Sequence, residues 1–478
     1  MILVGNITKA PATNLLQVYR QAQASDPTYK RAKSTYMSAR SKLPQARAAF
    51  LPNLNLESSQ NKTVDRSRRY LSPTNQFDAT LSLNQSLFDL SKLKNYKEIK
   101  LDVKSAAADY GVAMESLIMR TATAYFTILK DLAVLDYSMA NVRQLYSSLQ
   151  IAMQRYKVGL DTITSVYDAR SSYALAKASY LAAENKLASD KEALWQITGQ
   201  FYRSLAKLKE SFPLVKPAPA SIDEWAKAAE QHNLSLMAAR YHALATKENI
   251  KATSARKMAT LRLNGNYNYT HDYFRKSEYY NSTIGVTLNV PLYQGGLYSA
   301  ETKTAEYNYQ IAVAATDQTH RKILAEARNA YLELSADISK IKADKLAINS
   351  AKASLASNEA SYQVGTKTIA DVLSAQAKLY QSQQNYTSDL FDHIINTFKL
   401  KKAVGILGVN DLRQVNLYLT NVPNSEAHNT KHEATSELKK QQNLLVQNKL
   451  LQQDNSNEES MVLEQDAAKE ITKKPPDD

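Results

Sequence analysis

Two hydrophobic periods run along the chain, and each appears twice. From Leu261 to Tyr273, Leu261, Leu263, Tyr267, Tyr269 and Tyr273 alternate with Arg262, Asn264, Asn266, Asn268, Thr270 and Asp272. Tyr280, Ile284, Val286, Leu288, Val290 and Leu292 then alternate with Asn281, Thr283, Gly285, Thr287 and Asn289. A period of two with one apolar face and one polar, almost uncharged face predicts a pair of strands, over about 258–273 and 280–293. A weaker copy lies upstream, where Leu54, Leu56, Phe77, Leu81, Leu83 and Leu87 mark strands over about 50–61 and 76–88.

A period of seven follows each strand pair. Ile128, Leu135, Val142, Leu149 and Tyr156 recur as Leu334, Ile341, Ile348, Leu355 and Tyr362, each 206 residues on. Such heptads predict helices that wrap their neighbours as coiled coils do. No proline interrupts 94–156 or 297–362, so helices over about 93–158 and 297–364 would each be roughly 100 Å long. Gly159 and Gly365 are placed to end them in the left-handed conformation. Thr162 and Thr368 are placed to cap the returning helices, over about 162–208 and 368–405, Thr368 with Asp371 as a capping-box variant.

The duplicated order is therefore a short helix, two strands, a very long helix, a glycine turn and a second long helix. The expected organisation is a first repeat over 1–212, a proline-containing junction over 213–221, a second repeat over 222–424, and a polar, mostly disordered tail over 425–478. With 11 Gly and 12 Pro in 478 residues, turn formers are too few for an ordinary all-β chain. Mean hydropathy is −0.44, and no apolar run approaches the ~18 residues of a spanning helix. Met1–Gly5 is too short for a signal-peptide core, so a leader is expected to be accounted for by numbering.

The tail carries 7 basic and 11 acidic residues against 53 and 35 in the body. A basic body suits anionic lipid or acidic cargo. Its charges are dispersed and no nucleic-acid-binding pattern occurs, so no nucleic acid partner is expected. Cysteine is absent, no catalytic or nucleotide-binding motif stands out, and neither enzyme activity nor a cofactor is expected. His428 and His432 have metal-ligand spacing on a helix, but in a polar tail this reads as chance.

Strand count turns these elements toward a membrane. Four strands fall short of the eight or so of the smallest membrane barrel, and an open sheet leaves two edges that a bilayer does not tolerate. Other copies of the chain must close it. Two copies give eight strands, a barrel filled by its own side chains; three give twelve. The competing reading is a soluble coiled-coil scaffold or tether with a small sheet domain.

The duplicated Val-Gly-x-x-Thr-Ile tips, the strand end Pro291-Leu292-Tyr293-Gln294-Gly295-Gly296 and Thr123-Ala124-Tyr125-Phe126 resemble the TolC family of outer-membrane efflux and secretion channels. The resemblance runs collinearly from about Leu15 to Leu419. It implies a mainly α protein with a membrane β-barrel: a homotrimer with a twelve-stranded barrel in outer-membrane lipid and a long α-helical tunnel in the periplasm. It implies passive export of drugs or proteins, energised by an inner-membrane RND, MFS or ABC transporter through a periplasmic membrane-fusion adaptor. By the same resemblance the adaptor grips Val158, Gly159 and Leu160 at one tip and Val364, Gly365 and Thr366 at the other. Thr164, Ser165, Glu359, Tyr362 and Lys367 would tie the periplasmic mouth shut.

Three positions depart from the family pattern. Lys367 replaces an Arg, and a point charge cannot make a bidentate clamp. Ser165 replaces an Asp, which predicts a weaker charged latch resting more on Tyr362 and hydroxyls. Ser374 replaces the second of two constriction Asp residues, so a trimer would carry a ring of three carboxylates from Asp371, with weaker block by multivalent cations than a ring of six.

Overall fold

The computed structural model describes residues 12–65, 72–209 and 212–420, of which Thr13–Thr420 form one compact unit. The tail, with its two histidines, lies outside the described residues. The first repeat runs α1 (Leu15–Ser25), α2 (Pro27–Ala48), β1 (Asn53–Asp65), β2 (Ser72–Phe88), α3 (Leu90–Lys157), α4 (Ile163–Thr198) and a two-residue β3 (Lys207–Leu208). The second runs α5 (Ile222–His232), α6 (Leu234–Ser254), β4 (Thr260–Asp272), β5 (Ser277–Asn289), α7 (Leu297–Gln363), α8 (Ile369–Val404), α9 (Val409–Asn416) and β6 (Leu419–Thr420), which pairs with β3. None of the described helices is long and apolar enough to cross a membrane.

Three boundaries differ from the sequence reading. Each repeat opens on two helices rather than one. Pro27 offers no N–H, and the Asp26 carboxylate accepts from Tyr29 N at 2.6 Å, so the chain restarts there as a new helix. Asn233 does the same for α6, accepting from Ser235 N and Leu236 N at 2.9 and 3.1 Å. α4 stops at Thr198, well short of residue 208, because Gly199 takes φ +68° and its N–H returns to Trp195 O at 2.7 Å. The β1–β2 hairpin is longer than expected, since Lys62–Asp65 find partners in Ser72–Asn75.

In the second repeat the break between helices lets α6 continue the line of α8. The C-terminus of α8 meets the N-terminus of α6, spliced by Asn233 Nδ2 donating to Ala403 O at 2.8 Å. In the first repeat Gln21 Nε2 bonds Thr198 O at 3.3 Å. The α6/α8 line lies between α3 and α7, with Trp225, Leu236, Ile323, Leu334, Leu400 and Val404 forming a core at the junction. Gly405 makes this possible. It holds φ +85°, and a Cβ there would sit 2.5 Å from His232 O. Gly405→Ala is therefore expected to cost at least about 1–3 kcal/mol from backbone strain, plus the clash. Gly159→Ala shares the strain at φ +75° but meets open space. Unfolding midpoints of the two variants will separate the contributions, with Gly405→Ala clearly the lower.

The strands form one antiparallel sheet in the order β1-β2-β4-β5, with β2 and β4 joining the repeats. Register aligns the apolar positions across all four strands. Leu56 faces Leu81, Leu81 faces Tyr267, Leu263 faces Val286 and Gly265 faces Ile284. None of the described helices covers this face: Leu56 is 75% and Ile284 76% exposed. The other face carries a hydrogen-bonded lattice of mostly uncharged side chains, including Thr80 Oγ1 to Asn268 Oδ1 at 2.8 Å and Asn264 Nδ2 to Thr287 Oγ1 at 2.8 Å, with the Asp78 carboxylate accepting from Thr270 Oγ1 at 2.7 Å. β1 and β5 pair on one side only.

Candidate functional site

Both helical hairpins turn through the same backbone motif. Gly159 N–H bonds Tyr156 O at 3.0 Å and Leu160 N–H bonds Arg155 O at 2.9 Å; Gly365 and Thr366 repeat these bonds to Tyr362 O and Ser361 O at 3.1 and 2.9 Å. This double closure satisfies the last carbonyls of α3 and α7 and requires a left-handed residue, met by glycine at φ +75° and +82°. Thr162 and Thr368 cap the returning helices, and the Thr368–Asp371 box is reciprocal. Val158, Gly159, Leu160, Val364, Gly365 and Thr366 are all exposed at the tips, so both turns offer apolar side chains to solvent.

Just above the tips the two hairpins meet. Leu145, Leu149 and Ala152 of α3, Val166 and Ala169 of α4, Tyr362 of α7 and Ile369, Val372 and Leu373 of α8 form one buried cluster. The repeat-related tyrosines part company here. Tyr362 is 6% exposed against the first hairpin, whereas Tyr156 is 45% exposed.

Asp161 organises the polar side of this contact. Its carboxylate accepts from Tyr362 OH and from Ser165 Oγ, both at 2.6 Å. Arg155 Nε stands 3.7 Å from the same carboxylate, and its guanidinium lies 4.7 Å from the Tyr362 ring centroid. Burial pushes the Asp161 carboxyl up, but the bonds from Ser165, Tyr362 and the Thr162 N–H, with the Arg155 charge, outweigh it and hold the group below the usual carboxylate range. Burial and the neighbouring carboxylate together push the Tyr362 phenol well above its ordinary value. Higher up, Gln144 of α3 donates to Glu359 of α7 at 3.0 Å.

Of the mouth residues named from the sequence, Ser165 and Tyr362 converge on one acceptor, and Glu359 joins the same inter-hairpin seam. Thr164 and Ser374 are exposed and make no side-chain hydrogen bond. Lys367 turns to its own helix start, 3.5 Å from Asp371 Oδ1. Asp371 Oδ2 accepts from Thr368 N and Oγ1 at 3.0 and 2.8 Å. Those bonds, then Lys367, hold its carboxyl below the ordinary range. Asp371 thus stays ionised, but with a cation beside it. Sequence reasoning missed Asp161, Arg155 and Gln144. The available signal was spacing: Asp161 lies one helical turn before Ser165, on the same side of the chain.

Comparison with known proteins places these features in a family. The family model described as outer membrane efflux protein matches residues 18–200 and 225–405, one block per repeat. The chain is 34% identical over 431 residues to the outer membrane protein TolC of Escherichia coli strain K12, covering 87% of this chain and 86% of TolC. It is 23% identical to the alkaline protease secretion protein AprF of Pseudomonas aeruginosa, over 84% of this chain and 87% of AprF. The solved structure of the outer membrane protein VceC from Vibrio cholerae superposes with a TM-score of 0.72 at 21% identity, over 82% of this chain and 96% of VceC, a likeness of fold alone. Duplicated architecture, twin glycine tips and this breadth of identity agree: the chain belongs to the outer membrane efflux protein family.

Proposed function

We propose that three copies of this chain close a twelve-stranded barrel in the outer membrane and a helical tunnel in the periplasm, forming an exit duct for small-molecule efflux or protein secretion. The carrying observation is the sheet: a continuous apolar face left uncovered, a polar face with few charges opposite, and two strands paired on one side only. In water that arrangement exposes far more apolar surface than a monomer retains. In a bilayer the apolar face meets lipid, and β5 of one chain pairs with β1 of the next, leaving no edge. A soluble tether would need its helices to roof the sheet, and they do not.

Transport through such a duct is passive. The long hairpins carry the path toward an inner-membrane RND, MFS or ABC transporter, and the exposed tips around Val158-Gly159-Leu160 and Val364-Gly365-Thr366 are the surface for a periplasmic membrane-fusion adaptor. The mouth is gated where the two hairpins meet. Asp161, Tyr362, Ser165 and Arg155 hold them together at the tip, and Gln144 with Glu359 higher up. Three Asp371 side chains ring the axis, each partly offset by Lys367, which makes a weak site for blocking cations.

Cell fractionation tests the reading. The expected result is recovery from the outer membrane as a trimer that withstands mild detergent and converts to monomer on heating. Recovery as a soluble monomer removes the proposal.

A further inference from the structure

The two repeats each bury one aspartate at the same place on their long helix: Asp131 in α3 and Asp337 in α7, 206 residues apart and 8% and 6% exposed. In the second repeat Asp337 is satisfied by an amide, since Asn396 Nδ2 of α8 donates to its Oδ2 at 2.9 Å. The residue 206 positions before Asn396 is Asp190 of α4. It faces Asp131 as Asn396 faces Asp337, but as a carboxylate it has no hydrogen to give. Asp131 Oδ2 is correspondingly enclosed without a donor.

We infer that Asp131 and Asp190 form a proton-binding site in the helical wall, in which one shared proton takes the place of the amide hydrogen of the second repeat. Two facing carboxylates, one of them almost fully enclosed, cannot both stay charged without repulsion. Two cations stand near, and neither pairs with Asp131 itself. Lys186 pairs with Asp190 one turn along α4, and Lys130 pairs with Asp392 of α8 at 3.1 Å. Burial, then Asp190, pushes the Asp131 carboxyl up to about 7, while Asp190, bonded to Asp131 and Lys186, is held low. The proton therefore sits on Asp131 and is donated to Asp190.

The sign of the linkage follows. Asp131 has a higher affinity for its proton in the folded chain than in the unfolded one. Asp131's contribution to stability is full below about pH 4 and is lost as pH rises toward about 7, after which it is flat. Loss of the proton leaves two charges between α3 and α4 and loosens that hairpin.

Infrared difference spectra of the purified full-length protein between pH 5.5 and pH 8.5 test this. The wild type is expected to show a protonated-carboxyl band that disappears with a midpoint near 7, contributed by Asp131 and by Glu115 of α3, which burial also pushes up to about 7. Asp190→Asn supplies a permanent donor, as in the second repeat, and should lose the Asp131 share of the band, leaving that of Glu115, and lessen the fall of the melting temperature across pH 5–7. Asn396→Asp should build a second such pair with Asp337 and strengthen the band. An unchanged band and unchanged pH slope in Asp190→Asn would overturn the inference. Should that variant fold poorly, the same persistence in Asp131→Asn overturns it.

Discussion

Asp161→Ala channels are expected to open far more readily than the wild type in planar bilayers, while Ser165→Ala channels change little. Asp161 is the one acceptor shared by Tyr362, Ser165 and Arg155. Removing it leaves a buried phenol and a half-buried guanidinium without their partner. Unpaired groups of this kind cost about 1–3 kcal/mol, and a shift of that size changes a closed-to-open ratio by about 5- to 150-fold. Removing Ser165 Oγ leaves the Tyr362 and Arg155 contacts in place. Tyr362→Phe should fall between the two, because Arg155 still holds Asp161. A conductance in Asp161→Ala equal to that of wild type would show that this contact does not hold the mouth. The same group sets an acid limit. Its carboxyl sits below the ordinary range, so its bonds are intact above about pH 4 and fail only as pH falls further, through its lowered value. Acid opening near pH 5 would contradict the assignment.

Ile284→Arg should abolish assembly in the outer membrane, whereas Thr283→Arg should be tolerated. The two residues are adjacent, lie in the middle of β5, and point to opposite faces of the sheet. Ile284 pairs with Gly265 on the apolar face, and Thr283 pairs with Asn266 on the polar face. An arginine facing lipid near the bilayer midplane costs about 2–4 kcal/mol per chain, and a trimer incurs it three times. On the polar face the new charge remains in water and alters ion selectivity instead. The amount of heat-dissociable trimer in isolated outer membranes reads both variants at once. Equal tolerance of the two substitutions would mean that the apolar face does not meet lipid, and the barrel reading would fall with it.

Most of the architecture is legible because its causes are local. Alternation of Leu, Ile and Tyr with Asn and Thr specifies a strand and both of its faces. Absence of proline over some sixty residues specifies a long helix, and a Val-Gly pair ahead of a capping threonine specifies where it turns. These effects act within a few residues, and duplication states each of them twice. The misplaced boundaries were local too. Gly199 ends α4 and Asp26 begins α2 through ordinary cap chemistry, outweighed in the sequence reading by helical patterns that continue on either side.

The candidate site was less legible. Glu359, Tyr362 and Ser165 were named because a family pattern points to their positions, and the structure brings each into the seam between hairpins. The acceptor that unites Tyr362 and Ser165 was not named, because Asp161 and Tyr362 lie 201 residues apart. Their meeting depends on how two helix pairs rotate against one another. Packing likewise buries Tyr362 and leaves its duplicate Tyr156 exposed, although their local sequences are alike. Asp131 and Asp190 follow the same rule, each an unremarked acid on an amphipathic helix until α3 and α4 are laid together. Sequence by itself determined the repeat, the order of strands and long helices, and the glycine turns and threonine caps at the tips, since these rest on backbone geometry and short-range periodicity. Tertiary structure alone decided which of two equivalent side chains is buried and which carboxylate gains a partner, because those outcomes depend on the register between helices far apart in the chain.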